Sequence, residues 1–339
     1  MSESLLQQSD RALRPLALVG PTASGKTSLA LELARLRSDA EIVSVDSMAV
    51  YRRMDIGTAK PSRAERSGLQ VHMIDLVEPY EDFTVREYQR GARRVIAGIA
   101  ERGHRALLVG GTGLYLRSLT DDLQMPGRWP SVASRLEEEA DVHGPEMLHA
   151  RLGALDPVAA RRIEPANRRR VVRALEVTIG SGLPFSSFGP GLEAYPPTEI
   201  VQVGIRYEPS VHDERVRVRF GELLEEGLLR EVRSLSSEPR GLSRTARQAI
   251  GYRELLAHIE TGVPYDEAVS TAVQRTLALA RRQWSWFKRD PRIEWLEPGD
   301  DVLGRLLERW DARGGNETST DGGTTAADGA EFTGERLVR

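Results

Sequence analysis

The chain has no cysteine among its 339 residues. That excludes disulfides and any zinc site built on thiolates, and it suits a reducing cytoplasm. No apolar run reaches the length of a membrane-spanning helix, and the polar opening over residues 1 to 10 lacks the profile of a secretory signal. Aromatics make up only 6% of the chain, and its 6 histidines are too scattered to suggest a metal cage of protein ligands alone. An excess of one charge is missing too. The 47 basic and 50 acidic residues leave a net charge of −3, so the molecule as a whole is no polycation. There is no internal repeat. These absences lead us to expect a cytoplasmic monomer that does not enter a membrane.

Against this background one motif stands out. Gly20, Pro21, Thr22, Ala23, Ser24, Gly25, Lys26 and Thr27 form a complete G-x-x-x-x-G-K-[ST] loop. An apolar run (16 to 19) precedes it and a helical pattern (28 to 36) follows. Strand, loop and helix gather backbone N–H groups and the positive end of a helix around one anion. Lys26 adds a point charge, and Thr27 offers a hydroxyl to a magnesium ion. The loop therefore implies a polyphosphate ligand.

Further strand-like runs at 41 to 45, 105 to 109 and 200 to 205 alternate with helical patterns at 87 to 102, 211 to 235 and 265 to 288, and 293 to 296 reads as a last strand. This order predicts an α/β fold: a P-loop NTPase-like parallel sheet flanked by helices. Between 131 and 179 there are helix patterns and no strand, bounded by the breakers Pro126, Gly127 and Pro130 and by a Gly/Pro-rich stretch from 180 to 197. An inserted all-helical small domain is expected at 121–192, within a discontinuous core of 14–120 plus 193–300. Residues 1 to 13 read as a frayed leader, and 314–339 have the composition of a disordered tail.

Asp46 directly follows the second strand, at the sheet edge where open parallel sheets bind ligands. Gly110, Gly111, Thr112 and Gly113 follow the strand at 105 to 109. Three glycines exceed what one tight turn needs, and we expect them to let backbone approach a ligand, with Thr112 aimed into the same crevice. No Asp ends that strand, although many ATPases use one there to hold magnesium. His72 reads as structural, and Trp284, Trp286 and Phe287 as packing for a C-terminal helix. Arginines crowd two stretches, at 161, 162, 168, 169, 170 and 173 and at 281, 282 and 289, the second joined by Lys288. Basic patches on a mildly acidic protein suggest a polyanion docking at a defined place.

Taken together, the segments GPTASGKT (20 to 27), SVDSMAVYRRMDIGTAKP (44 to 61), LLVGGTGLYLRSL (107 to 119), LDPVAARRIEPANRRRVVRALEV (155 to 177), IGYRELL (250 to 256) and ARRQWSWFKRDPRIEWL (280 to 296) resemble bacterial tRNA dimethylallyltransferases, also called tRNA isopentenyltransferases. The resemblance implies transfer of a five-carbon group from dimethylallyl diphosphate to N6 of the adenosine 3′-adjacent to the tRNA anticodon, with magnesium as cofactor. It implies that Thr22 to Thr27 hold the prenyl diphosphate where kinases hold nucleotide phosphates. It also implies Asp46 as general base, catalytic contributions from Lys26 and Thr112, and tRNA contacts from Asp46, Ser47, Met48, Ala49, Thr112, Arg169, Arg170 and Arg173. The helical insertion would grip the anticodon stem-loop. The chain departs from the family pattern at Ala133, and at Leu277 and Ala278, where basic tRNA contacts are common. The residues taken alone leave two rivals: a P-loop kinase of a nucleoside or small metabolite, and a non-catalytic RNA-binding switch.

Overall fold

The computed structural model describes residues 13–312, apart from Asp122, Pro190 and Asp300. The expected leader up to residue 12 and the tail at 314–339 lie outside the described residues.

Six parallel strands build the sheet: β1 (Leu16–Val19), β2 (Ala40–Ser44), β3 (Val71–His72), β4 (Arg105–Gly110), β5 (Val201–Ile205) and β6 (Ile293–Leu296). Their order is β3-β2-β4-β1-β5-β6, so β1 sits between β4 and β5 in the interior. All of β1 and β4 is buried, as a strand covered on both faces requires. One face packs on α1 (Lys26–Leu36) and the other on α2 (Val85–Glu101). Helix α2 opens with a capping box: Thr84 accepts from the Glu87 amide and Glu87 reaches back to the Thr84 amide. Because every strand is parallel, the loops after β1, β2 and β4 emerge at one edge of the sheet.

Helix α3 (Gly113–Thr120) follows β4, and the chain then leaves the sheet for α4 (Pro130–His143), α5 (Pro145–Leu155), α6 (Pro157–Arg162), α7 (Arg168–Ser181) and a 3₁₀ turn (Phe185–Phe188). These helices share a core of their own, including Leu136, Leu148, Leu152, Ile163, Val171 and Leu175. Both crossings to and from this unit are pinned. Asp121, its side chain 1% exposed, pairs with Arg117 and with Arg292, at 2.7 Å from the latter. Arg117 also donates to the carbonyls of Leu192 and Ala194, and its guanidinium lies over the Tyr195 ring.

The run expected as one helix from 211 to 235 is two, α8 (Pro209–Glu226) and α9 (Leu228–Ser236). Gly227 at φ 106° ends α8, a conformation that an L side chain resists. Three more helices follow: α10 (Arg244–Arg247), α11 (Tyr252–Thr261) and the long α12 (Tyr265–Phe287). The last is α13 (Val302–Asp311), whose Trp310 is buried beneath β1 and β5. The segment after β2 packs Val50, Tyr51 and Met54 against Leu228, Tyr252, Leu255 and Ala272 of these helices. As expected, Phe287 is buried, Trp286 packs against the sheet core and Trp284 sits edge-on to Trp295 at 4.6 Å. His72 is structural as well. It shares the buried Glu41 with Arg102 and His104, and chiefly the Arg102 guanidinium holds that carboxyl down to about 2.

Candidate active site

The phosphate loop turns between β1 and α1. Gly25 caps the helix at φ 78°, leaving its amide-rich start open. Ala23 adopts φ 60°, unusual for a residue with a side chain. Three side chains from distant elements brace this strained turn. His212 on α8 contacts the Thr22 carbonyl at 2.8 Å and Arg215 on α8 donates to the Ala23 carbonyl at 3.0 Å. Gln283 on α12 accepts from the Thr22 amide at 2.8 Å. Burial lowers the His212 imidazole, which favours the neutral ring donating Nε2–H to the carbonyl. Motif reading missed all three residues. Their only sequence signal was a basic, His-containing helix start and the Arg-Arg-Gln run, neither of which says that it folds back on the loop.

The Lys26 ammonium bonds the Pro21 carbonyl at 2.8 Å. Burial lowers it from its ordinary value to about 8, and the nearby Asp46 charge partly offsets that. The buried Ser24 hydroxyl has no partner among the described residues, and the Thr27 side chain lies at the surface.

Asp46 opens the loop after β2. Its Oδ1 accepts the amides of Met48 at 2.7 Å and Ala49 at 3.2 Å, so the carboxylate is oriented by its own loop. No protein donor meets its Oδ2 among the described residues. Thr112 Oγ1 accepts the Ser47 amide at 3.1 Å, and the Thr112 amide donates to the Val45 carbonyl. The structure thus brings Lys26, Asp46, Ser47 and Thr112 to one edge. Beneath them Tyr88 and Tyr115 stack at 4.0 Å, and the Tyr88 hydroxyl is fixed on the Ser44 carbonyl.

The glycines at 110, 111 and 113 let other parts of the protein come close. A Cβ at Gly110 would stand 2.1 Å from the Val45 carbonyl oxygen, and one at Gly113 would stand 2.1 Å from the indole nitrogen of Trp286. Gly111 lies against Gln283.

The arginines sort by use. Arg169 and Arg170, at the start of α7, are exposed and make no ion pair among the described residues. Arg168 is paired with Glu137 and Asp141. Arg173 is half-buried. It bonds Glu176 at 2.7 Å and the carbonyls of Pro126 and Gly127, bracing the chain as it enters the helical unit. On α12, Arg281 pairs with Asp213, whereas Arg282 is exposed and makes no such pair among the described residues. Leu277 is buried against Val216 and Ala280, so that position of the helix faces protein.

No cluster of three His, Asp or Glu side chains among the described residues is arranged to hold a metal. The Thr27 hydroxyl is of the oxygen type that suits a hard divalent cation bound chiefly by phosphate and water.

A parallel sheet with β1 in its interior, a phosphate loop on that strand and an oriented carboxylate on the next loop define a P-loop-type group-transfer protein. Comparison with known proteins narrows the class. The chain matches the IPP transferase family model over residues 49–290 and the isopentenyl transferase model over 14–78. A tRNA dimethylallyltransferase of Streptomyces coelicolor is 45% identical over 289 residues, 85% of this chain and 91% of that protein. One from Geobacter metallireducens is 45% identical over 87% of this chain and 96% of its own. The crystal structure of a tRNA isopentenylpyrophosphate transferase from Bacillus halodurans superposes with a TM-score of 0.63 at 34% identity, covering 88% of this chain and 94% of that one. The chain belongs to the IPP transferase family.

Proposed function

We propose that the protein transfers the dimethylallyl group of dimethylallyl diphosphate to N6 of the adenosine 3′-adjacent to the anticodon of tRNA, releasing diphosphate. The observation that carries this is the convergence at one edge of an open amide cradle, Lys26 and a carboxylate held by its own loop. A diphosphate needs the first two, and a weakly acidic amine needs the third.

The allylic C–O bond breaks with its electron pair going to the diphosphate. The cradle amides and Lys26 meet that growing charge with dipoles already in place. Thr27 is the residue that would hold a magnesium ion, which would supply further charge neutralisation. The N6 lone pair attacks the allylic carbon, and Asp46 Oδ2 takes the N6 proton as the C–N bond forms. Oδ1 is committed to the Met48 and Ala49 amides, so the carboxylate presents one oxygen to the base. Thr112 keeps the Asp46 loop in place through the Ser47 amide. The adenine must leave its stack to reach this edge.

The helical unit from 121 to 192 is then an RNA-gripping domain, with Arg169 and Arg170 free to meet phosphates. Charge reversal at Arg169 and Arg170 should weaken tRNA binding and flatten its salt dependence by about one unit of log–log slope per residue. Arg173→Ala should leave the slope unchanged and lower the stability of the unit instead, because its guanidinium is spent on Glu176 and the linker carbonyls. Binding isotherms at several salt concentrations distinguish the two. The activity itself is tested by mass spectrometry of nucleosides from unmodified tRNA incubated with the enzyme and dimethylallyl diphosphate. A gain of one C5H8 unit on adenosine is expected. Stoichiometric ATP consumption with no such gain would put a kinase in its place.

A further inference from the structure

The side chain of Gln283 spans two loops of the candidate site. Its Oε1 accepts the Thr22 amide of the phosphate loop at 2.8 Å, and its Nε2 donates to the Gly111 carbonyl of the turn after β4 at 3.0 Å. The fit is close on both sides. A Cβ at Gly111 would fall 2.5 Å from Nε2, so only glycine there lets the amide in. One helical turn on, Trp286 presses in the same way on Gly113. Between the two glycines lies Thr112, whose hydroxyl holds the Ser47 amide beside Asp46.

We infer that Gln283 is a positioning residue: a crossbeam that sets the distance between the diphosphate cradle and the loop pair carrying the base. The inference rests on the function proposed above. Two consequences follow from the geometry. The Thr22 amide is already satisfied, so the amides left for phosphate begin at Ala23. And because β1 and β4 are neighbours in the sheet, the strands fix where the two loops begin while Gln283 ties them together just beyond the strand ends.

A crossbeam acts on the reacting geometry more than on the affinity for either substrate. Misplacement of reacting groups by about 1 Å costs on the order of a hundredfold in rate. Gln283→Leu, which fills the space without either bond, should therefore lower kcat about 10- to 100-fold. The KM for dimethylallyl diphosphate and the Kd for tRNA should stay within about threefold of the unaltered enzyme, on the rule that such a kcat-only loss marks an interaction needed in the transition state.

Gln283→Glu gives the sharper test. An ionised carboxylate can accept from Thr22 but cannot donate to Gly111, and it adds negative charge beside the diphosphate. A protonated carboxyl group has the same pattern as the native amide, one acceptor and one donor. The kcat of Gln283→Glu relative to the unaltered enzyme at the same pH should thus climb as pH falls from about 7 toward the ordinary glutamate value of about 4.3, whereas the Gln283→Leu ratio should stay flat. Taking each ratio at matched pH cancels any pH dependence that the two enzymes share. Unchanged kcat in Gln283→Leu, or a pH-independent ratio for Gln283→Glu, overturns the crossbeam. A rise in tRNA Kd with kcat intact assigns Gln283 to RNA contact and overturns it too. An unaltered enzyme that transfers no prenyl group sinks the proposed function instead, so the two failures are separable.

Discussion

Asp46→Asn is expected to fold, to bind tRNA with unchanged affinity and to turn over at least a hundredfold more slowly. The substitution is chosen for its geometry. The asparagine oxygen can still accept the Met48 and Ala49 amides that Oδ1 accepts now, so the loop keeps its shape. What disappears is the second carboxylate oxygen, the one with no protein donor. A missing general base costs typically a hundredfold to ten-thousandfold. Asp46→Ala removes the base and also frees two loop amides, so it should lose as much turnover and some stability besides. The decisive measurement is single-turnover prenyl transfer at saturating tRNA, with the Kd for tRNA measured in parallel. Normal turnover in Asp46→Asn would remove proton acceptance from the mechanism. A large rise in Kd with normal chemistry once bound would recast Asp46 as a contact to RNA alone.

The legible parts of this protein were those governed by chain-local rules. The phosphate loop could be read because its glycines, lysine and hydroxyl follow one another with no tertiary partner needed to make sense of them. The parallel sheet could be read from apolar runs alternating with helical stretches, and its interior strands lie within a residue of their expected positions. The helical character of 130 to 181 was visible from the absence of strand-like runs. The site's braces were not visible. His212, Arg215 and Gln283 act across 190, 192 and 261 residues of chain, and no local pattern encodes a contact of that span. The same long-range packing explains the glycines at 110, 111 and 113. Three glycines in four residues signalled close approach, but only the fold reveals that α12 and the β2 loop are what approach. The arginine run was misleading in a third way. Composition marks all of its members as equal, yet Arg168 and Arg173 are consumed by ion pairs and carbonyls while Arg169 and Arg170 are not. Side-chain direction on α7, not charge, separates them.

Lys26→Ala should lower kcat/KM for dimethylallyl diphosphate by about a hundredfold to a thousandfold, equivalent to about 3 to 4 kcal/mol, the usual loss for one donor aimed at a developing anion. The pH dependence carries more information. Burial brings the Lys26 ammonium down to about 8, so in the free enzyme it loses its proton just above neutrality. Only the charged form attracts the diphosphate, and kcat/KM reports the free enzyme. It should therefore fall as pH rises through about 8, approaching tenfold per unit. Lys26→Arg should abolish that fall, whatever its absolute rate, because a guanidinium stays charged throughout. Stability should move in the opposite direction. Between about 8 and the ordinary lysine value the unfolded chain holds a proton that the folded enzyme has released, so unfolding becomes harder as pH rises through that window. Melting curves of the unliganded protein should show a rise there that is absent in Lys26→Ala, over the same range in which kcat/KM declines. Two opposite slopes traced to one ammonium would tie the buried charge to the anion it serves. A kcat/KM that stays level up to pH 10, with the melting slope present, would mean that Lys26 titrates as described but is not what holds the leaving group.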